Sequence, residues 1–136
     1  MRKKRTELLL KFEMIASHSL SGYEKPHPHI WKIQAGLVGE PIAGRIVDLP
    51  TLRTAFEAVL GTLKGSYLNE NQNLEGPVRE FPTCETLGES LYEKFEGVLA
   101  GTFRAANASI RLSFVQVALC EMDGFEQGAA RITTAS

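Results

Sequence analysis

Leu8-Leu9-Leu10-Lys11-Phe12-Glu13-Met14-Ile15-Ala16-Ser17-His18 is the stretch that decides the fold. Its even positions, Leu8, Leu10, Phe12, Met14 and Ala16, are apolar and lead to His18, while Lys11 and Glu13 take the other parity. Successive side chains of a strand point to opposite faces, so this alternation predicts a half-buried strand from about Thr6 whose core face ends in a histidine. A turn-rich stretch, Ser19 to Pro28, follows, with Gly22, Pro26 and Pro28. From His29 to Val38 the alternation returns: Trp31, Ile33, Ala35 and Leu37 share the parity of His29, and Lys32 and Gln34 take the other. Gly39 to Gly44 reads as a turn, and the two strands are expected to pair as a long hairpin.

Beyond Asp48 the period changes. Leu52, Phe56, Val59, Leu60 and Leu63 recur at helical spacing, with Pro50 near the start and Gly65 as the expected stop. Ser66 to Pro82 is polar and irregular, and a long loop inside a compact domain is often functional. Thr83 is an N-cap candidate for a second helix to Leu99, whose apolar stripe is Leu87, Leu91, Phe95 and Val98. Strand chemistry then resumes, with Ile110, Leu112 and Phe114 expected on one face and Val115, Val117, Leu119 and Glu121 on the other. Gly124 permits a turn, and Ala129 to Thr134 reads as the last strand. The order strand, strand, helix, helix, strand, strand predicts an α+β layout, an antiparallel sheet with both helices packed on one face.

With 136 residues, one domain over 1–136 is expected, residues 1–5 forming a basic lead-in. The net charge of −1 gives no global case for attraction to nucleic acid or to membranes. Arg2-Lys3-Lys4-Arg5 reads as a solvated lead-in rather than the start of a signal peptide, because Leu8-Leu9-Leu10 is short and is followed by Lys11 and Glu13. No stretch approaches the length of a membrane span, and a cytoplasmic protein is expected. Cys84 and Cys120 are far apart and lack CxxC spacing, so each reads as a small buried residue. Cys84, beside the Thr83 cap, is a secondary nucleophile candidate, since a helix N-terminus can lower a thiol pKa.

The chain has three histidines, His18, His27 and His29. In extended chain His27 and His29 lie on one side, and a hairpin-like pairing can bring His18 to them. Three imidazoles with a fourth position open is the arrangement of a catalytic zinc site. The alternative, loop histidines beside prolines, stands equally on spacing alone.

These residues resemble a known family. Phe12-Glu13-Met14-Ile15-Ala16-Ser17-His18 followed by His27-Pro28-His29-Ile30-Trp31-Lys32-Ile33 is similar to the pattern of the 6-pyruvoyl/6-carboxy-tetrahydropterin synthase family: an aromatic start, Ala-x-His, then His-Gly-His-Asn-Tyr-x-Val. Gly44-Arg45-Ile46-Val47-Asp48-Leu49 resembles its Gly-x-Val-x-Asp-Phe, and Leu68-Asn69 resembles the Leu-Asn after its first helix. Pro82-Thr83-Cys84-Glu85-Thr86 resembles its Pro-Thr-x-Glu-Asn, and Glu121 falls where a late strand carries a pterin-binding glutamate. The resemblance implies the tunnelling fold, a four-stranded antiparallel sheet with two helices on one side that oligomerises into a barrel as a trimer or hexamer. It implies zinc held by His18, His27 and His29, a pterin anchored by Glu121 with help from Thr83, and sites lying between subunits.

The departures are specific. Where the family places a cysteine shortly before its His-x-His pair, Ser21-Gly22-Tyr23-Glu24-Lys25-Pro26 has none. Glu24 resembles the glutamate of a variant branch that processes the side chain of dihydroneopterin triphosphate differently, and is the expected general base. The family's Leu-Asp-His-x-x-Leu-Asn reads Leu63-Lys64-Gly65-Ser66-Tyr67-Leu68-Asn69, so the Asp and His of its proton relay are Lys64 and Gly65. Pro28 replaces the glycine between the zinc histidines and donates no backbone hydrogen bond. The expected function is a zinc-dependent lyase or synthase acting on the side chain of a dihydropterin. The alternatives are a non-catalytic family relic that binds zinc and a pterin or purine, and a ligand-free structural oligomer.

Overall fold

The protein is described from a computed structural model covering residues 4–20 and 24–134. The part of the basic lead-in up to Lys3, and Ser21-Gly22-Tyr23 of the loop before Glu24, lie outside the described residues. Four strands, β1 (Glu7–His18), β2 (His27–Val38), β3 (Arg111–Cys120) and β4 (Glu126–Thr133), form one antiparallel sheet in the order β1-β2-β3-β4. The helices α1 (Leu49–Gly61), α2 (Gly76–Glu80) and α3 (Cys84–Gly101) lie between β2 and β3 in sequence. No helix among the described residues is long and apolar enough to cross a membrane.

The alternation of β1 and β2 becomes burial. Leu10, Phe12, Met14 and Ala16 are buried, and so are Trp31, Ile33, Ala35 and Leu37, while Lys11, Glu13 and Lys32 are exposed. These residues face Leu52, Phe56, Leu60 and Leu63 of the α1 segment and Leu87, Leu91, Phe95 and Leu99 of α3 in one apolar cluster. Phe56 and Phe95 stack at its centre, 4.0 Å between centroids and 13° apart, with Phe12 tilted against both.

Four expectations need correction. First, β2 begins at His27 rather than His29, because His27 pairs directly with His18. Second, α1 stops at Gly61, and a turn carries the chain to Gly65, whose φ of +75° suits the missing Cβ. The Gly65 N–H then donates to the Ile15 carbonyl (2.7 Å) and the Ser17 N–H to the Ser66 carbonyl (2.9 Å), so this segment docks on the edge of β1. Third, the loop read as irregular contains a 3₁₀ turn, Leu68–Glu70, and α2, both anchored by buried Leu68, Leu74 and Val78. Fourth, Leu99 completes the stripe of α3, with Val98 only partly buried.

β3 also departs from simple alternation. Gly36 pairs with Phe114 but Leu37 pairs with Leu112, so Ser113 is an extra residue in the strand. The bulge lets Leu112, Val115 and Val117 all face the helices, in place of the expected division after Phe114. Phe114 instead lies on the other face of the sheet, over Gly36 and against the Arg131 guanidinium 3.9 Å from its ring centre. A Cβ at Gly36 would fall 2.3 Å from that ring. Gly36→Ala is therefore expected to cost about 1–3 kcal/mol by forcing Phe114 aside, seen as a lower urea midpoint at unchanged slope.

Candidate metal centre

The β1–β2 register builds the site. His18 lies opposite His27, and His29 lies opposite Ala16, one same-face step further along β2. The rings of His18 and His29 are 4.8 Å apart between centroids, those of His18 and His27 5.1 Å, and those of His27 and His29 5.3 Å, each pair nearly perpendicular. One nitrogen from each ring lies within 4.8 Å of the others. Trp31, fully buried, forms the floor: its indole N–H donates to the Ala16 carbonyl at 3.1 Å and its ring packs edge-on against His18.

Two backbone carbonyls orient the buried rings. His18 Nδ1 donates to Pro82 O at 2.8 Å and His29 Nδ1 to Cys120 O at 3.2 Å. The expected pterin-binding residues, Thr83 and Glu121, each follow one of these carbonyls directly, so the chain ties them to the histidine end of the sheet. Burial holds His18 below its ordinary pKa, against the opposing Pro82 contact, and so favours the neutral form a metal requires.

Behind the rings, Ser19 is held on all sides. Its N–H donates to Asn69 Oδ1 (2.9 Å), its carbonyl accepts from Asn69 Nδ2 (2.7 Å), and its hydroxyl meets the Tyr67 hydroxyl at 2.5 Å. Glu24 stands at the rim, one carboxylate oxygen accepting from the Leu20 N–H (2.9 Å) and the other on His27 Nε2. These contacts, the His27 one foremost, hold the Glu24 carboxyl below the usual glutamate range, so it is ionised at neutral pH.

The remaining expected residues are placed less closely. Thr83 caps α3, accepting from the Thr86 N–H at 3.2 Å, so its hydroxyl is partly committed to the helix. Glu121 starts the turn after β3 and accepts from Gln127 Nε2. A shallow groove of about 530 Å³ is lined by Cys84, Glu85, Leu119 and the Gln127–Ala130 stretch of β4; neither Thr83 nor Glu121 lines it. Burial, and after it the Glu85 carboxylate, push the Cys84 thiol up, opposite to the direction a nucleophile needs. Sequence reasoning missed Trp31 as the floor, the two carbonyls and the Ser19 clamp. Only the Leu68-Asn69 pair carried any signal of the clamp.

The donor set suits a zinc ion. Zinc–nitrogen bonds of about 2.0–2.1 Å in a tetrahedron place ligand nitrogens roughly 3.3 Å apart, and His27 Nδ1 and His29 Nε2 are 3.1 Å apart. Facing nitrogens at that distance need a proton or a cation between their lone pairs.

The fold and this centre define a class: an antiparallel sheet, helices on one face, carrying a histidine trio at the end of its first hairpin. The chain belongs to the 6-pyruvoyl tetrahydropterin synthase family, which it matches over residues 7–125. No curated protein matches it by sequence. Among solved structures it is similar to the 6-pyruvoyl tetrahydropterin synthase of Caenorhabditis elegans, at 16% identity over 99% of both chains and a TM-score of 0.72. It is similar to an uncharacterised protein of Wolinella succinogenes, at 12% identity over 98% of this chain and 100% of that one, TM-score 0.73. It also resembles the 6-pyruvoyl tetrahydropterin synthase of Plasmodium vivax, at 14% identity over 97% of this chain and 100% of that one, TM-score 0.64. Two further structures of the Plasmodium vivax protein are catalytic-residue mutants in which a glutamate is replaced by alanine or by cysteine.

Proposed function

We propose that this chain is a zinc-dependent lyase or synthase acting on the side chain of a dihydropterin of the dihydroneopterin triphosphate kind. The observation that carries the reading is the convergence of His18, His27 and His29 within 4.8 Å in a chain of this family. When bound, zinc polarises oxygen groups of a pterin side chain and eases loss of a proton nearby. The protein's own residues do the rest. The carboxylate of Glu24, ionised and beside His27, accepts a proton from the substrate's side chain. A glutamate named as a catalytic residue in the Plasmodium vivax synthase supports that role. The carboxylate of Glu121 accepts hydrogen bonds from the amino-pyrimidine edge of the pterin, and Thr83 assists in holding it.

Self-association as a trimer or hexamer belongs to the same proposal, as do one domain across the chain and a cytoplasmic location. Leu20, Phe81, Met122 and Phe125 are exposed apolar residues, and all sit on the segments that end at the metal centre. A neighbouring subunit laid over this end would bury them and enclose the site.

One observation favours a second reading, a non-catalytic relic that binds zinc and a pterin or purine. Lys64 and Gly65 stand where the family's Asp-His relay is expected, and Gly65 is committed to the edge of β1. Turnover of dihydroneopterin and of its triphosphate, at saturating zinc, separates the two readings. Glu24→Gln is expected to lower kcat by about 10²–10⁴-fold. Equal rates in both proteins would remove Glu24 from proton transfer, and pterin binding without turnover by the unmodified protein would select the relic.

A further inference from the structure

Each ring of the trio commits one nitrogen to an outer partner, and the committed nitrogen is not the same in all three. His18 and His29 use Nδ1, on the carbonyls of Pro82 and Cys120. A carbonyl only accepts, so those rings carry their proton on Nδ1 and keep the Nε2 lone pair free. His27 uses Nε2, on a carboxylate oxygen of Glu24, and turns Nδ1 toward His29 Nε2 at 3.1 Å. Glu24 is itself fixed through its second oxygen by the Leu20 N–H, and Leu20 follows the clamped Ser19.

We infer that zinc is held by an asymmetric set of nitrogens, Nε2 of His18, Nε2 of His29 and Nδ1 of His27, and that Glu24 is the positioning residue that selects Nδ1 on His27. This deepens the metal site proposed above and rests on it. A histidine that ligates a metal donates its other ring N–H to a carboxylate or a carbonyl, which fixes the tautomer and strengthens the ligand. Glu24 completes that pattern for the one histidine of the trio whose side chain is 41% exposed and whose ring, among the described residues, meets no backbone carbonyl. Glu24 therefore has a duty to the metal that precedes its duty to the substrate, and losing it weakens zinc before any chemistry occurs.

The test uses the full-length chain with nitrogen-15 in its histidine rings, loaded with zinc and free of substrate. Long-range proton–nitrogen correlation spectra show which nitrogen of each ring is protonated and which is bound. The expected result is His18 and His29 bound through Nε2 and His27 through Nδ1. In Glu24→Gln, zinc affinity is expected to fall about 10–100-fold, with the His18 and His29 patterns retained and the metal-free protein as stable as the unmodified one. Binding of His27 through Nε2, or unchanged zinc affinity in Glu24→Gln, overturns the inference while leaving the metal site standing. An affinity loss matched by an equal loss of metal-free stability overturns it too. Rings that show no bound nitrogen at all would remove the metal site itself, a different failure with a different spectrum.

Discussion

His29→Ala is expected to abolish zinc binding at neutral pH. His29 is the most constrained member of the trio after His18: it is 6% exposed, its Nδ1 is fixed on the Cys120 carbonyl, and its Nε2 faces the His27 ring. Removing it leaves two histidines, and water must fill the vacated position. The loss should exceed the roughly 100-fold that follows from losing an outer partner of a ligand, because a ligand itself is gone. The same change leaves the Cys120 carbonyl without its donor, a cost of about 1–3 kcal/mol in the metal-free protein where that carbonyl is buried. Equilibrium dialysis against zinc, with chelated protein as reference, measures the first effect, and thermal unfolding of the metal-free protein measures the second. Stoichiometric zinc retained by His29→Ala would show that the ion is held elsewhere. Zinc is also expected to raise the unfolding temperature of the unmodified protein and leave that of His29→Ala unmoved, since a ligand that binds the folded chain alone stabilises it by mass action.

Phe95→Ala is expected to give the largest loss of stability, about 3–5 kcal/mol. Phe95 is fully buried and stacks on Phe56 with centroids 4.0 Å apart, and Phe12 closes the group from the sheet. The change removes the ring from the joint between α1, α3 and β1. The cavity it leaves lies among side chains held by three separate elements, which cannot all move in to fill it. Chemical denaturation should show the full effect in the midpoint, with the slope preserved if folding stays two-state. A cost below about 1 kcal/mol would mean that the core collapses around the gap, contrary to the packing density of protein interiors.

The fold was legible wherever a strict period met a clear stop. Period-two alternation in Leu8 to His18 fixed both the strand and its buried face, and Thr83 marked the start of α3 to the residue. Legibility failed where a tertiary contact overrode the local pattern. The extra residue at Ser113 inverted the parity of β3, a change that only the pairing with Gly36 and Leu37 reveals. The end of α1 moved because the backbone of Gly65 and Ser66 found partners on β1, and no periodicity records a partner fifty residues away. The site was legible as residue types: the histidines were few and their parity was right. Its supports were not, because Pro82 and Cys120 act through carbonyl groups that every residue possesses. Asn69 acts on the backbone of Ser19, which no side-chain pattern advertises.

The docking of Gly65 and Ser66 against Ile15 and Ser17 also sets a rule for anything that lengthens the sheet beyond β1. Backbone groups of a strand alternate between its two sides, and the outward-facing Ile15 carbonyl and Ser17 N–H are bonded to this chain's own turn. Gly65 and Ser66 occupy the edge beside Ile15 and Ser17, which leaves Glu7 to Glu13, a stretch close in length to β4, for an added strand. The turn thus acts as a doorstop: it stops a seam along this edge short of His18 and keeps the mouth of the histidine trio clear of it.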